Sequence, residues 1–265
     1  MTEKQKSFVT QVRFKNGTLS SKAFEDEIAI ESPLTLFLNK KELVTILCTP
    51  KHMEEMVIGY LFNEHFIMRI DEIKRIYLDT KKNFASVEIE RDDTLGELRY
   101  RRFLSSDCTN PVSFRSLADA AMVKPVKSNL KLSIERIKYL LNEMGKHALL
   151  YRSTGCTHSA SICSRQSIIF LAEDIGRHNA VDKVIGSCLK NRLKLSDKIL
   201  ITSGRITSGI TLKSINAGIP IIVSRAAPTS YSLQLGKDYG VTLIGFMRGN
   251  KANVYAHQNR IEELS

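Results

Sequence analysis

SIIFLAEDIGRHNAVDKVIGSCLK, residues 167–190, changes its hydrophobic period in the middle. SIIFLAED (167–174) is a short, mostly apolar run that reads as a strand. RHNAVDKVIGSCLK (177–190) places Ala180, Val181, Val184, Ile185, Cys188 and Leu189 on a single helical stripe, which should face a sheet. The same alternation continues downstream. KILITS (198–203) reads as a strand, and 206–217 as a helix closed by Gly218. IPIIVS (219–224) is the next strand; Pro228 opens a helix in a favoured first-turn position, and Gly240 closes it. VTLIGFM (241–247) is a further strand, and RGNK turns the chain into ANVY (252–255). Strands alternating with helices predict α/β layers around a mostly parallel sheet.

Upstream the pattern is less regular and richer in strands. AFEDEIAI (23–30) alternates weakly, and LTLFL (34–38) and ELVTILC (42–48) are short apolar runs. KHMEEMVIGYLFNEHFI (51–67) has the three- and four-residue spacing of a helix, and IKRIYL (73–78) and FASVEIE (84–90) read as strands. Residues 105–133 carry Pro111 and Pro125 and read as a linker or mobile segment. A helix is expected to start near Ser133, where Arg136 stands in the place of an acidic capping partner. The expected organisation is an N-terminal mixed region, 1–132, and a C-terminal α/β domain, 133–265.

With 265 residues, 43% hydrophobic and 25% charged, the chain can bury a core without disulfides or metals. No apolar run reaches the roughly 18 residues of a spanning helix, and MTEKQKSFVT lacks the apolar stretch of a signal peptide. A cytoplasmic location is expected, with no membrane partner. Five scattered cysteines, Cys48, Cys108, Cys156, Cys163 and Cys188, argue for free thiols. None forms a Cys-x-x-Cys pair or a zinc-spaced cluster, so no bound metal is expected. The net charge of +11 fits either a soluble basic surface or an anionic partner.

Three strand–helix junctions could hold such a partner, since ligands of open α/β sheets sit at the carboxyl ends of strands and helix N-termini favour anions. The first carries Arg177, His178 and Asn179, with Asp182 within reach of His178 one turn on. A solvated helix start and a binding site both fit it. The second is TSGRITSG (202–209), where small residues and Arg205 suit a phosphate. The third is SRAAPTS (224–230), with Arg225. STGCTHSASIC (153–163) is a tight loop or a ligand wall, and carries Cys156 and His158. SSDCTN (105–110) sets Cys108 in a polar loop behind Arg99, Arg101 and Arg102, where it is unsuited to core filling.

EDIGRHNAVDKVIG (173–186) is very similar to the signature of the FdhD/NarQ family of formate dehydrogenase accessory sulfurtransferases. TSGRITS, KSINAGIPIIVSRAAPTS, GVTLIGFMRGNKANVYAH, the Thr-Gly-x-x-His of 154–158 and TPKHMEEMVIGYLFNEHFI add to the resemblance, which runs from about residue 20 to the end. It implies a cytidine deaminase-like three-layer α/β domain, a smaller strand-rich N-terminal domain and a homodimer. Members carry persulfide sulfur from a cysteine desulfurase to the bis(molybdopterin guanine dinucleotide) molybdenum cofactor, before its insertion into formate dehydrogenase. By motif order Cys108 matches the persulfide carrier. Phe246, Met247, Arg248, Gly249, Asn250 and Lys251 match the cofactor-binding stretch, for which a guanine nucleotide is a mimic. Arg205, Arg225 and His178 join them on the junction argument.

The sequence departs from the family at three places. Pro111 replaces the second loop cysteine, Cys156 replaces a glycine, and Gly209 replaces a glutamate. The first raises an alternative, a cofactor-binding chaperone without sulfur transfer. A zinc deaminase is disfavoured because His178 is followed by Asn179 and Ala180 and no Cys-x-x-Cys exists. A nucleic-acid module is disfavoured because no binding motif appears.

Overall fold

The computed structural model describes residues 2–90 and 124–265. Cys108, Pro111 and the arginines at 99, 101 and 102 lie outside the described residues, as do residues 105–123 of the expected linker; its remainder is not a free linker, since Val126, Leu130 and Leu132 are buried and Val126 N and Leu132 N donate to Tyr239 O and Arg260 O. The chain begins with a hairpin of β1 (Lys4–Lys15) and β2 (Thr18–Ala29), which pair antiparallel through an Asn16-Gly17 turn with φ of 49° and 78°. A four-stranded sheet follows, in the order β4-β3-β6-β5, from β3 (Ser32–Leu38), β4 (Lys41–Cys48), β5 (Ile73–Asp79) and β6 (Phe84–Ile89). Helix α1 (Met53–Asn63) covers one face of it. Met53, Met56, Val57, Tyr60 and Leu61 pack with Leu34, Leu36, Cys48, Ala85 and Val87 in a single core.

The C-terminal part is a six-stranded sheet in the order β12-β11-β10-β9-β7-β8. Its strands are β7 (His158–Cys163), β8 (Ile168–Asp174), β9 (Ile199–Thr202), β10 (Ile221–Ser224), β11 (Thr242–Arg248) and β12 (Lys251–Ala256). Its helices are α2 (Ile134–His147), the short α3 (Leu149–Thr154), α4 (Arg177–Lys190), α5 (Ser208–Asn216) and α6 (Ser230–Tyr239). Alternate strand residues face opposite layers. Ala160, Ile162, Leu200, Ile222 and Leu243 meet α4, α5 and α6, whereas Cys163, Ile199, Ile201, Val223 and Ile244 meet Ile137, Leu140, Leu141 and Met144 of α2. Among the described residues no helix is long and apolar enough to cross a membrane.

Helix α4 spans the residues expected for it. The sheet is mixed, however, and not mostly parallel: among the described residues its only parallel pairings are β9 with β10 and β10 with β11. β7 is antiparallel to both neighbours, and β12 is antiparallel to β11. The connections are the cause. Residues 164–167 turn tightly, with Ser164 N–H donating to Ser167 O at 2.9 Å, and Gly249-Asn250 joins β11 to β12; neither is long enough for a parallel crossover. HSASIC (158–163), read as part of a loop or wall, is instead an inner strand, and Ser161 is fully buried. The start of α2 falls at Ser133, whose Oγ accepts from Arg136 N at 3.2 Å. The missing acid is supplied from the far end of the chain, where Glu263 accepts from Ile134 N at 3.1 Å.

Candidate functional site

The polar string at the start of α4 divides into two sets. Asp174 and Lys183, both with no side-chain exposure, pair at 2.6 Å. Asp174 also accepts from Gly176 N (2.8 Å), Asn179 Nδ2 (2.9 Å) and Thr49 N (3.0 Å). Lys183 Nζ donates to Thr49 O at 3.0 Å, and Asn179 Nδ2 to Leu47 O at 2.8 Å. One turn on, Asp182 accepts from Asn63 Nδ2 at 2.7 Å and pairs with Lys213 Nζ at 2.5 Å. These partners come from β4, the β4–α1 connection, the end of α1 and α5. The signature's Asp174, Asn179, Asp182 and Lys183 therefore fasten the N-terminal sheet and α1 onto the large sheet. The helices touch closely. A Cβ added at Gly59 would collide with the Asp182 carbonyl oxygen, and one at Gly186 with the Glu55 carbonyl oxygen.

His178 is 4% exposed and lies beneath this edge of the sheet. Burial, and the nearby Lys213, push its pKa down to about 3, against the opposing pull of Asp182. A Cβ at Gly209 would lie 2.7 Å from its Cε1, so the glycine leaves room for the imidazole.

The second set is at the surface. The carboxyl ends of β8, β9, β10 and β11 and the amino end of β7 share one edge, and α4, α5 and α6 begin there. The loops beyond the strands are tied to one another. Ser203 N donates to Ser159 O (2.9 Å), and Ser159 N to Ser203 Oγ (2.9 Å). Ser224 Oγ donates to Gly204 O at 2.6 Å and accepts from Ala226 N at 2.9 Å. Ile206 N donates to Ala227 O (3.0 Å), and Phe246 N to Ala226 O (3.1 Å). The result is a hydrogen-bonded shelf that extends the parallel strands. Arg205 and Arg225 stand exposed on it, and His158 Nδ1 lies 3.4 Å from Ser203 Oγ. Burial lowers the pKa of His158, Asp174 opposes the shift, and Arg205 adds to it.

The stretch 246–251 closes the shelf on the β11 side. A register shift lies between Gly245 and Arg248, and Phe246 takes φ of 50°, a left-handed conformation costly for an aromatic residue. The bulge turns Phe246 outward, 43% exposed, and Met247 inward, 4% exposed, into the α2 core. Arg248 Nε donates to Arg225 O at 2.9 Å, and Asn250 Oδ1 accepts from Lys138 Nζ at 2.6 Å. Gly249, Asn250 and Lys251 are exposed. Arg205, Arg225, Phe246 and 248–251 thus share one edge, with His178 below, whereas Met247, expected among the cofactor-binding residues, packs into the core instead. Residue spacing gave no sign of Ser203 and Ser224 as the ties, since serines after strands are common. Of the four described thiols, Cys156 is exposed. Cys48, Cys163 and Cys188 are buried, and burial pushes them up to about 12, 11 and 11.

Known proteins agree with this architecture. The sulfur carrier protein FdhD of Bacillus subtilis (strain 168) is 37% identical over 252 residues, 95% of each chain. The protein of the same name from Staphylococcus haemolyticus (strain JCSC1435) is 37% identical over 254 residues, 95% of each chain. The crystal structure of a candidate formate dehydrogenase accessory protein from Desulfotalea psychrophila superposes with a TM-score of 0.77 at 27% identity, covering 98% of this chain and 100% of that one. The FdhD/NarQ family model matches residues 29–262, and this chain belongs to the FdhD/NarQ family.

Proposed function

We propose that this protein is a sulfur carrier that takes persulfide sulfur from a cysteine desulfurase on Cys108. The sulfur is destined for the bis(molybdopterin guanine dinucleotide) molybdenum cofactor of formate dehydrogenase. Relatives named sulfur carrier proteins support the role. The observation that carries it is the distribution of thiols. A carrier needs an accessible thiolate, and burial withdraws Cys48, Cys163 and Cys188 from that work. Cys108 and Cys156 remain as candidates, and motif order favours Cys108. In the loading step the Cys108 thiolate attacks the outer sulfur of the donor persulfide. A new S–S bond forms at Cys108, the donor's S–S bond breaks, and the donor leaves as a thiolate.

The shelf suits the cofactor's pyrophosphates. Arg205 and Arg225 supply charge, and three helix N-termini supply N–H groups with the positive end of the helix dipole. A guanine nucleotide should bind there as a mimic. Strand order supports a cytidine deaminase-like domain: β8-β7-β9-β10-β11 has β7 alone reversed. Separate cores around α1 and the six-stranded sheet support two domains, as expected for 1–132 and 133–265, although Val126, Leu130 and Leu132 pack with the C-terminal cores and move the boundary ahead of them. The reading includes a homodimer acting in the cytoplasm.

The test is mass spectrometry after incubation with a cysteine desulfurase and cysteine. Cys108 should gain one sulfur atom, and Cys108→Ala, unlike Cys156→Ala, should abolish the gain. Pro111, in place of a second loop cysteine, favours a second reading: a cofactor-binding chaperone that moves no sulfur. Under it, formate dehydrogenase activity in cells would survive Cys108→Ala.

A further inference from the structure

The β1–β2 hairpin stands away from both cores. Every residue from Thr10 to Ala23 is exposed, including Phe14 at 79% and Leu19 at 60%. A lone two-stranded ribbon is marginal in water, yet this one pairs without interruption from Lys4–Ala29 to Lys15–Thr18. The period of two separates its faces. One carries Phe8 (83% exposed), Thr10, Val12 and Phe14 on β1, and Glu25, Ala23, Ser21 and Leu19 opposite them in turn. The charges at its base are neutralised within the ribbon, by Lys4–Glu27 at 2.5 Å and Lys6–Glu25 at 2.7 Å. The distal half of the other face carries Arg13, Lys15 and Lys22 without an acid among them.

We propose that the Phe8–Phe14 face of this ribbon is where a second copy of the chain docks, through the same face in both copies. The inference rests on the homodimer within the functional reading above and adds where the contact lies. Charge selects the face. Two copies of a +11 chain repel over most of their surfaces. This face is apolar and internally neutral, so it meets its own copy without that cost, whereas the Arg13 face would oppose like to like. Area fits as well. A ribbon about 40 Å long and two strands wide, with two phenylalanines each burying about 150–250 Å², brings each copy to on the order of the 800 Å² of a stable interface. A two-fold pairing lets one patch complement itself.

Light scattering and sedimentation of the full chain test this. The wild type should be a dimer whose dissociation constant does not rise between low and high salt. Phe14→Asp should raise that constant about 100-fold or more, as expected for an interface anchor lost from both copies. Its circular dichroism should not change, because Phe14 is solvent-exposed. Lys22→Glu, on the opposite face, should leave the dimer intact. A dimer that persists in both Phe14→Asp and Phe8→Ser overturns the ribbon contact and leaves the homodimer standing. A monomeric wild type overturns both and means the face serves a different partner; neither result touches the persulfide assay.

Discussion

His178 illustrates how burial acts on one side chain. The fold holds it neutral: its pKa is about 3 in the native protein, against an ordinary value near 6.5. Between those values the unfolded chain binds the extra proton, so the sign is settled. This contribution to stability is complete above about pH 6.5 and falls as pH drops, by about 1.4 kcal/mol per pH unit until about pH 3. Urea midpoints of the wild type and His178→Gln at pH 7 and pH 5 should therefore converge at the lower pH; a difference independent of pH would reject the assignment. The thiols give a second expectation from single residues. Iodoacetamide should alkylate Cys156 in the native protein and reach Cys48, Cys163 and Cys188 only on unfolding, because burial suppresses their thiolates. Peptide mapping before and after denaturant reads this directly.

The contact between α1 and α4 decides whether the N-terminal sheet stays attached, and it combines two devices. Gly59 and Gly186 let the backbones touch, and the Asp174–Lys183 and Asp182–Lys213 pairs satisfy the polar groups buried there. Gly186→Ala should cost about 3 kcal/mol, since the added methyl meets backbone and not a flexible side chain. Lys183→Met alone should cost about 3–5 kcal/mol, because it leaves the Asp174 carboxylate buried and unpaired. Urea unfolding of both variants gives the numbers, and losses under 1 kcal/mol would show that the layers do not depend on this contact. The same elements show what the sequence could and could not disclose. α4 was legible because its stripe is apolar and uninterrupted. β7 was not, because His158-Ser-Ala-Ser161 has no apolar run; its burial comes from neighbours on both sides. β1 was hidden by lysines and glutamines despite the Asn16-Gly17 turn signal. The polar string 173–183 advertised a site, but polar residues at a helix start look alike whether their partner is a ligand or another layer of the same chain. Only the placement of Thr49 and Asn63 against it separates the two.

On the proposed reading the molecule as a whole divides its tasks between two places, and that division can be tested. The shelf gathers Arg205, Arg225 and three helix starts at one sheet edge, and Ser203, Ser224 and the Phe246 bulge hold it rigid. On the proposed reading, sulfur chemistry belongs to Cys108, outside the described residues. Anion binding and thiol chemistry should therefore separate by mutation. A charged hydrogen bond to phosphate contributes about 1.5–3 kcal/mol, so Arg205→Ala and Arg225→Ala should each weaken guanosine diphosphate binding about 10- to 100-fold in calorimetric titration. Both side chains are exposed, so melting temperatures should stay within a degree or two of the wild type. The salt dependence of binding should fall in each variant, because one phosphate contact is gone. Cys108→Ala should bind the nucleotide as the wild type does while failing to take up sulfur. If both arginine variants bind with wild-type affinity, the shelf is not the cofactor's seat; if Cys108→Ala loses nucleotide affinity as well, the two tasks share one site and the division fails.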